Sequence, residues 1–375
     1  MKILLWSTAP WCKTGYGRNC RYLLNALKGK AELDVLATFG LEGGVINVNG
    51  VNVYPTGGNF WVMDEWVKYW SDVLASDIIL QHFDIWVIKP SFIVDHGLKL
   101  VTYSPVDGYP IPFPVKASAD GALDNIAMSK FAQDSYIEQG LRASTVIYHP
   151  VDHGSFYPMD KRECRRLLGI PEDKFVIGFV GTNKGPRKNI PNQLVAFKKF
   201  LDETKVDAYL YLHTYMERDE INPEGTSIPH LLELLDLSGK VLTTDKIRYR
   251  VGLHDDVMRL LYNSFDVLSQ CTLGEGFGIP IVEAQACGTP VIGTDCSAIT
   301  EVVGAGGSLV KQADKIEWQR IGSWHAIPST VDITEEFKKY SDRDFREEKS
   351  KLALENSFRF TMKKWNDQWA EYFNL

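Results

Sequence analysis

The residues with the clearest chemical potential lie in a glycine-rich stretch in the second half of the chain. Residues 274–292 read GEGFGIPIVEAQACGTPVI. Glycines let the backbone approach a ligand closely, and Pro280 suits the first position of a helix that Gly288 would end. The backbone N–H groups at such a helix start attract anions. The stretch therefore predicts a turn that binds phosphate, most naturally a diphosphate.

Two carboxylates frame this turn, Glu275 in the glycine loop and Glu283 within the helix. A carboxylate can accept two hydroxyl hydrogen bonds, so both side chains suit the vicinal diols of a ribose or a hexose. Neither acid has a basic neighbour in the sequence to neutralise it. The alternative interpretation is a helix whose N-terminal acids merely favour its dipole.

A second loop supplies positive charge. Residues 181–189 read GTNKGPRKN and follow the apolar run Phe175–Val180, which is typical of a buried parallel strand. Ligands of open α/β sheets bind beyond the carboxyl ends of the strands, so Arg187 and Lys188 are expected there. They could neutralise the charge of a departing diphosphate. A basic loop solvated on the surface is the alternative.

The elements that position these loops follow a repeating strand–helix pattern. Strands are expected at Ile3–Ser7, Leu33–Thr38, Asp77–Gln81, Leu100–Tyr103, Asn125–Ser129, Thr145–Tyr148, Phe175–Val180, Ala208–His213, Val267–Ser269 and Pro290–Gly293. Helices are expected at Gly17–Leu27, Phe131–Gln139, Ile190–Leu201, Asp256–Tyr262 and Pro280–Cys287. The alternation predicts parallel sheets with helices on both faces.

The pattern is interrupted at His149–Pro158, where Pro, Gly and His occur without a clear period. We therefore expect a Rossmann-like domain at 1–150 and a second one at 151–357. The tail at 358–375 should complete the first domain. Its aromatic residues Trp365, Trp369, Tyr372 and Phe373 fall on one helical face, which indicates a packing surface.

Composition limits the function classes. The chain has 375 residues, 45% of them hydrophobic and 24% charged, with a net charge of −7. This is typical of a globular protein and argues against non-specific nucleic-acid binding. The sequence contains no apolar run of ~18 residues and no signal-peptide core, so we expect a cytoplasmic protein without membrane association.

The sequence also argues against a metal centre. Its six cysteines form no C-x-x-C pair, and free, mostly buried thiols are expected. The acidic pair Asp342 and Asp344 lies in a charged stretch near the end of the chain. It is read as the start of a solvated helix, and no metal site is predicted.

The glycine-rich stretch with Glu275 and Glu283 resembles the signature of family-4 retaining glycosyltransferases. Similar segments are Asn125–Lys130, Val151–Asp152, Phe156–Pro158, Leu261–Val267 and the aromatic tail. The resemblance implies the GT-B fold, in which two Rossmann-like domains face each other across a cleft and a C-terminal helix returns to the first domain.

The resemblance also implies roles for the second domain. Glu283 would bind the ribose of a nucleotide-sugar and Glu275 the hydroxyls of the donor sugar. The backbone amides of Gly276, Phe277 and Gly278 would face the sugar and the phosphates.

The basic loop carries both a match to the family and a departure from it. Lys188 matches the phosphate-binding lysine, and Arg187 can add a bidentate contact. Thr182 stands where relatives usually carry an arginine after the glycine. Lys184 or Arg187 would therefore have to supply the phosphate contact that this arginine makes in relatives.

In the first domain, Gly15, Tyr16 and Gly17 resemble the family's first glycine loop, which approaches the donor phosphates. A dinucleotide-binding loop is the competing interpretation. It is disfavoured because Cys20 replaces the third glycine and no acid closes the strand Leu33–Thr38.

A second departure concerns a histidine that in many relatives contacts the sugar near the reacting carbon. Val106 takes that position here, and the adjacent Asp107 becomes the candidate for a polar contact with donor or acceptor. His82 is the other candidate. An Asx-type turn at Asp107 and a packing role for His82 are the alternatives.

The resemblance implies a metal-independent, retaining transfer from a nucleotide-diphosphate sugar, with UDP or GDP as the leading nucleotides and no cofactor. The acceptor would be a carbohydrate or another hydroxyl compound, chosen by loops near Gly43–Asp64 and Pro105–Val115. Aromatic residues of these loops, Phe60, Trp61, Tyr109 and Phe113, could stack on a sugar or belong to the core. The alternatives are another GT-B enzyme, such as a phosphorylase or an epimerase, and a non-catalytic sugar-nucleotide-binding protein.

Overall fold

A computed structural model describes residues 1–57, 63–220, 222–318 and 322–375, with backbone alone for 314–318. The chain divides into two compact units. The first unit comprises Met1–His149, Glu317–Trp324 and Met362–Leu375, and the second comprises Pro150–Ile316 and His325–Thr361. Residues 358–361, which we expected in the first domain, lie with the second unit. The short segment Glu317–Trp324 joins the first unit without any sequence signal.

The first unit is built on a seven-stranded sheet of order β3-β4-β2-β1-β5-β6-β7. Its strands are β1 (Lys2–Ser7), β2 (Glu32–Ala37), β3 (Ile46–Val48), β4 (Val51–Pro55), β5 (Ile78–Gln81), β6 (Leu100–Thr102) and β7 (Asp124–Asn125). All pairings are parallel except the hairpin of β3 and β4. The helices are α1 (Gly15–Leu27), α2 (Met63–Val73), α3 (Pro90–Asp95), α4 (Phe113–Asp120) and α5 (Lys130–Glu138).

The second unit has a six-stranded parallel sheet of order β10-β9-β8-β11-β12-β13. Its strands are β8 (Phe175–Val180), β9 (Ala208–His213), β10 (Val241–Thr243), β11 (Val267–Gln270), β12 (Val291–Thr294) and β13 (Gly307–Val310). A separate two-stranded sheet consists of β14 (Gln312–Trp318) and β15 (Ser323–Pro328).

Nine helices are described in the second unit. They are α6 (Lys161–Leu168), α7 (Ile190–Thr204), α8 (Ile228–Leu234), α9 (Lys246–Val251), α10 (Asp255–Ser264), α11 (Ile279–Ala286), α12 (Ser297–Val303), α13 (Thr330–Ser341) and α14 (Arg343–Ser357). Every residue of β8 and β11 is buried, as the continuous apolar pattern of β8 predicted. These two strands are neighbours in the sheet, so the loops at their carboxyl ends lie side by side.

Two strand predictions were wrong. Asn125–Ser129 contributes only the end of β7, after which Ser129 caps α5 by accepting a hydrogen bond from the N–H of Ala132. Thr145–Tyr148 is not a strand, because its backbone makes one isolated bridge, between Val146 and Ala127. Both segments run beside the sheet edge without forming a regular ladder.

The acceptor loops are also more structured than expected. Gly43–Asp64 contains the hairpin of β3 and β4 and the start of α2, and Pro105–Val115 contains the start of α4. Phe60 and Trp61 lie outside the described residues. Tyr109 and Phe113 are exposed, so neither belongs to the core.

The charged stretch near the end of the chain forms a helix start, as predicted. Asp342 caps α14 and accepts a hydrogen bond from the N–H of Phe345 at 2.9 Å. The six cysteines are free thiols, four of them buried. In the part of the chain that the structure describes, no helix is both long and apolar enough to cross a membrane.

The aromatic tail forms a last helix, α15 (Met362–Phe373), which packs on α1 in the first unit. The Trp365 and Trp369 side chains are fully buried, and the Tyr372 hydroxyl donates to Asp124. The Gln368 side chain donates to the carbonyl of Val146. The expected return of the C-terminal helix to the first unit is thus confirmed.

Candidate functional site

The glycine loop follows β11 and leads directly into α11. Gly278 is the last residue before the helix and has a φ of 95°, a conformation that L side chains rarely adopt. Pro280 lies in the first turn of α11, where its missing N–H costs nothing. Gly288 follows the helix with a φ of 75°. The predicted loop–helix turn is therefore present, beyond the carboxyl end of β11.

Two ion pairs form in this loop that the sequence did not reveal. Lys188 Nζ lies 2.6 Å from Glu275 Oε1, and Arg187 Nη1 lies 2.9 Å from Glu275 Oε2. Arg187 also donates to the carbonyl of Gly274. The two loops of opposite charge thus form one cluster, although Glu275 has no basic neighbour along the chain.

Local structure explains how the cations reach the carboxylate. Gly185 and Asn189, which flank a short 3-10 turn over Pro186–Lys188, both have positive φ angles. The N–H of Leu273 donates to the carbonyl of Arg187 and ties the two loops together. The Asn189 side chain donates to the carbonyl of Cys271, which makes a second tie.

The electrostatics of Glu275 follow from this pairing. Burial by itself raises the pKa of the carboxyl group, but Lys188 and Arg187 together lower that pKa to about 2. Glu275 is therefore ionised at neutral pH. The N–H of Glu275 donates to Ser297 Oγ at 3.0 Å, which orients the loop from the start of α12.

Glu283 lies on α11 and is also buried. Its Oε2 atom accepts a hydrogen bond from the Tyr262 hydroxyl, on α10, at 2.8 Å. Tyr262 and Ser297 thus orient the two acids, and sequence reasoning missed both. Since each is distant from its partner along the chain, only the three-dimensional arrangement identifies them.

The remaining predicted residues of the second unit have different environments. Phe277 is buried, and its ring packs edge-on against Phe360 with centroids 5.6 Å apart. The Phe277 side chain therefore has a packing role, and the ligand-binding expectation concerns its backbone. Gly276 lies beside it in the same loop. Thr182 is exposed in the basic loop.

In the first unit, the predicted glycine loop forms the start of α1. Thr14 caps this helix by accepting a hydrogen bond from the N–H of Gly17. A Cβ atom on Gly17 would lie 2.4 Å from the carbonyl oxygen of Cys12, so packing requires this glycine. Gly15 is exposed, whereas Tyr16 donates to Asp84 and its ring contacts His82.

The two polar candidates of the first unit are not equivalent. His82 is completely buried, bonds to Ser7 through Nδ1 at 3.1 Å, and has its pKa lowered to about 3 by burial. It is a neutral core residue. Asp107 is half-buried and remains the accessible candidate. Val106 is buried in an apolar cluster with Ile85.

Among the residues that the structure describes, no group of three or more His, Cys, Asp or Glu side chains could hold a metal ion. The charged cluster in the second unit instead combines one carboxylate with two cations. Such a cluster can bind a diphosphate through the cations and hydroxyl groups through the carboxylate.

Residues 160–320 match the family model described as "Glycosyl transferases group 1". The D-inositol 3-phosphate glycosyltransferase of Geodermatophilus obscurus is 29% identical over 208 residues, which cover 54% of this chain and 45% of that protein. The chain thus spans about half the length of the curated relatives it matches.

Solved structures resemble the whole chain. Sucrose-phosphate synthase from Thermosynechococcus elongatus has a TM-score of 0.80 at 17% identity and covers 100% of this chain and 98% of its own. Anabaena HepE, solved in complex with UDP-glucose, has a TM-score of 0.72 at 18% identity, and the match covers 100% of this chain and 99% of HepE. The predicted GT-B fold is therefore confirmed, and the segment that holds Lys188, Glu275 and Glu283 is the one similar to group 1 glycosyl transferases.

Proposed function

We propose that this protein is a retaining glycosyltransferase that moves a sugar from a nucleotide-diphosphate sugar to a hydroxyl acceptor without a metal ion. The observation that carries the proposal is the buried cluster of Glu275 with Lys188 and Arg187, beside the helix start at Gly278. The family match over residues 160–320 and the UDP-glucose complex of HepE support it.

The donor would lie at the carboxyl edge of the second unit's sheet. The start of α11 and the two cations meet the diphosphate, because backbone N–H groups and guanidinium or ammonium groups favour phosphate oxygens. Glu283 binds the ribose hydroxyls, and Glu275 binds hydroxyls of the transferred sugar. Gly276, Phe277, Gly278 and Thr182 contribute backbone or hydroxyl contacts around the phosphates.

The chemical step needs stabilisation of the departing diphosphate. Lys188 and Arg187 are held in place before the donor arrives, and preorganised charges of this kind lower the barrier without reorganising during the reaction. In the proposed front-face route the acceptor attacks from the side that the diphosphate leaves, and the leaving phosphate takes the acceptor proton. In the first unit, Asp107 is the candidate contact for the acceptor, and Gly15, Tyr16 and Gly17 stay candidates for donor contact.

Nucleotide binding tests the donor site. Thermal unfolding should be measured with UDP, GDP, ADP and CMP for the wild type, Glu283→Ala and the exposed control Glu233→Ala. A nucleotide at 100 times its Kd stabilises the folded state by ~2.7 kcal/mol. We expect UDP or GDP to raise the melting temperature of the wild type and the control and not that of Glu283→Ala. Failure of all four nucleotides would contradict the proposal.

Turnover tests the role of the cations. Lys188→Ala should lower kcat by ~10²–10³, the usual cost of removing one preorganised charge or donor. Lys198→Ala, which removes a surface lysine paired with Asp202, should leave kcat unchanged. A Lys188→Ala variant that keeps more than half of the wild-type turnover would refute the assignment.

A second candidate is a binding protein that does not catalyse transfer. The burial of Val106 in an apolar cluster, at the position where many relatives carry a sugar-contacting histidine, favours it. This candidate predicts nucleotide binding that depends on Glu283, with no sugar released or transferred from any nucleotide-sugar in an acceptor screen.

A further inference from the structure

The basic loop is held by a neighbouring loop through one buried side chain. The loop from Gly181 to Asn189 contains no regular strand, and its backbone takes a positive φ of 63° at Gly185 and 53° at Asn189. Irregular backbone of this kind needs support from outside the loop to keep Arg187 and Lys188 at fixed positions.

That support comes from the brace loop, which we define as residues 214–227 between β9 and α8; residue 221 lies outside the described part. Asn183 is 3% exposed and points into this loop. Its side-chain amide donates to the carbonyl of Thr226 at 2.7 Å, and its side-chain oxygen accepts from the N–H of Thr226 at 2.9 Å. This paired arrangement fixes both the position and the rotation of the amide.

Two further hydrogen bonds join the same loops. The Asn222 side chain donates to the backbone carbonyl of Asn183 at 2.7 Å. Within the brace loop, the same side chain also donates to the carbonyl of Glu217 at 3.0 Å. The N–H of Gly185 donates to the carbonyl of Glu224 at 3.0 Å. The brace loop therefore also contacts Gly185, which has a positive φ and lies just before the turn that carries Arg187.

The brace loop is also held by hydrogen bonds within itself. The Tyr215 hydroxyl donates to Asp219 at 2.6 Å, and Asp219 accepts hydrogen bonds from the N–H of Asn222. Gly225 allows the close approach of the two loops, since a Cβ atom there would lie 2.0 Å from the Asn222 side-chain nitrogen and 3.1 Å from the carbonyl oxygen of Asn183.

We infer that Asn183 is a positioning residue for the donor diphosphate: through Thr226 and Asn222 it fixes the basic loop so that Arg187 and Lys188 are in place before a nucleotide binds. Asn183 itself faces the brace loop. The inference rests on the proposed function for the identity of the ligand, whereas the bracing of the loop does not depend on it. A bidentate amide bond to a backbone N–H and C=O pair suits Asn, and neither Asp nor Ala can reproduce it.

The variants for the test are Asn183→Ala, Asn183→Asp and Asn183→Gln, with Asn192→Ala as the matched control. Asn192 lies on α7 and donates to the Asn189 side chain at the end of the basic loop, so the control removes an amide that contacts this loop but leaves the contacts of Asn183 with the brace loop intact. Gly225→Ala disturbs the contact between the two loops from the side of the brace loop, because its methyl group would meet the Asn222 side chain and the carbonyl of Asn183.

Amide hydrogen exchange tests the bracing without any ligand. In Asn183→Ala the backbone amides of 182–189 should exchange at least about tenfold faster than in the wild type, while those of β8 stay protected. Gly225→Ala should have the same effect, and Asn192→Ala should not. Unchanged exchange across 182–189 in both loop variants would overturn the inference, whether or not the protein binds a nucleotide.

Ligand affinity tests the link to the diphosphate. The affinities of UDP and GDP should be measured by calorimetry, together with those of uridine and guanosine. For the nucleotide that binds the wild type, Asn183→Ala should lower the affinity for the diphosphate at least about tenfold. The affinity for the matching nucleoside should fall less than about twofold. Asn183→Asp should behave like Asn183→Ala, since it cannot donate to the carbonyl of Thr226.

The outcomes separate the two proposals. If none of the four nucleotides named under the proposed function binds the wild type, the proposed function fails, and the exchange result alone decides whether the loop is braced. If a diphosphate binds the wild type and Asn183→Ala equally well, the positioning role fails and the proposed function stands. Equal weakening of the diphosphate and its nucleoside would indicate a general loss of structure and would also refute the specific role.

Discussion

Glu275 shares its two cations with the ligand that the site is proposed to bind. Its carboxylate lies within 2.6–2.9 Å of Lys188 and Arg187, so a diphosphate has to compete with it for their charge. Because a negative ligand and a negative side chain flank the same cations, the charge of Glu275 sets both the stability of the loops and the affinity for the diphosphate.

The pH dependence of stability reports on this pairing. The folded-state pKa of Glu275 is about 2, below the ordinary value of 4.5, so the ionised carboxylate stabilises the fold above pH 4.5. This contribution is lost as the pH falls toward 2. We expect Glu275→Gln to lower the free energy of unfolding by about 2–3 kcal/mol at pH 7, less than the ~3–5 kcal/mol of a fully buried pair, since Arg187 is partly exposed.

Urea unfolding between pH 7 and pH 3 measures this effect. The difference in free energy between the wild type and Glu275→Gln should shrink below pH 4.5, because the carboxyl group of the unfolded wild type is then protonated and has to lose this proton on folding. The exposed control Glu233→Gln should match the wild type throughout. A difference that stays constant with pH would contradict the role assigned to the ion pair.

Sequence alone predicted the glycine loop and its acids, because glycine, proline and carboxylate spacing is local information. It did not predict that Lys188 and Arg187 neutralise Glu275, since these residues come from loops on different strands. The roles of the Tyr262 and Ser297 hydroxyl groups were not predicted, for the same reason. Burial of His82 and Val106 likewise became visible only in the folded chain.

At the scale of elements, the start of α11 depends on one backbone conformation. Gly278 has a φ of 95°, and a Cβ atom there would lie 2.8 Å from Ile281 Cδ1. Gly278→Ala should therefore cost about 1–3 kcal/mol through strain at this position. The measurement is the free energy of unfolding together with nucleotide affinity, and both should fall. Gly239→Ala, where nothing lies near the added Cβ, is the control and should change affinity little.

The start of α14 gives a second prediction at this scale. Asp342 caps the helix and belongs to the acidic pair that could be mistaken for a metal site. Asp342→Ala should lower the free energy of unfolding by ~1 kcal/mol, the usual cost of losing a cap. The variant should keep wild-type transfer activity, and EDTA should not lower the activity of either protein. Loss of activity on chelation would contradict the proposed metal independence.

Elements with a strong local pattern were predicted well. The buried strand β8 and the capped helix α5 match their predictions because a continuous apolar run and a Ser cap are local signals. Short or irregular segments were not. The hairpin of β3 and β4 offers few buried positions, and Thr145–Tyr148 uses a single bridge in place of a ladder. In both cases neighbours in space, rather than periodicity, decide the conformation.

At the scale of the whole molecule, the first unit is assembled from distant parts of the chain. The helix α15 supplies Trp365 and Trp369 to a core that also contains Tyr103 and His149, with ring centroids 5.1–6.0 Å apart. The sequence indicated this packing through its aromatic face. The added segment Glu317–Trp324 carried no such signal.

Replacing one buried aromatic side chain of α15 by alanine tests how much the stability of the first unit depends on this helix. Trp369→Ala should destabilise this unit by ~3–5 kcal/mol, the usual cost of removing a buried aromatic side chain. The exposed neighbour Glu371→Ala is the control. Unfolding should be followed by near-UV circular dichroism, and nucleotide affinity should be measured in parallel. We expect nucleotide affinity, which is assigned to residues of the second unit, to persist, and its loss together with the fold of the first unit would contradict this expectation.

The discontinuous first unit also constrains how the protein is made in the cell. Residues up to His149 leave the ribosome well before α15, because the whole of Pro150–Ile316 and His325–Thr361 is translated in between. At ~5–20 residues per second this interval lasts roughly 10–40 s. During that time the ring contacts that Trp365 and Trp369 make with Tyr103 and His149 cannot form. The first unit can therefore complete its core only after the whole second unit has been translated, and the second unit is the part that can complete its folding first.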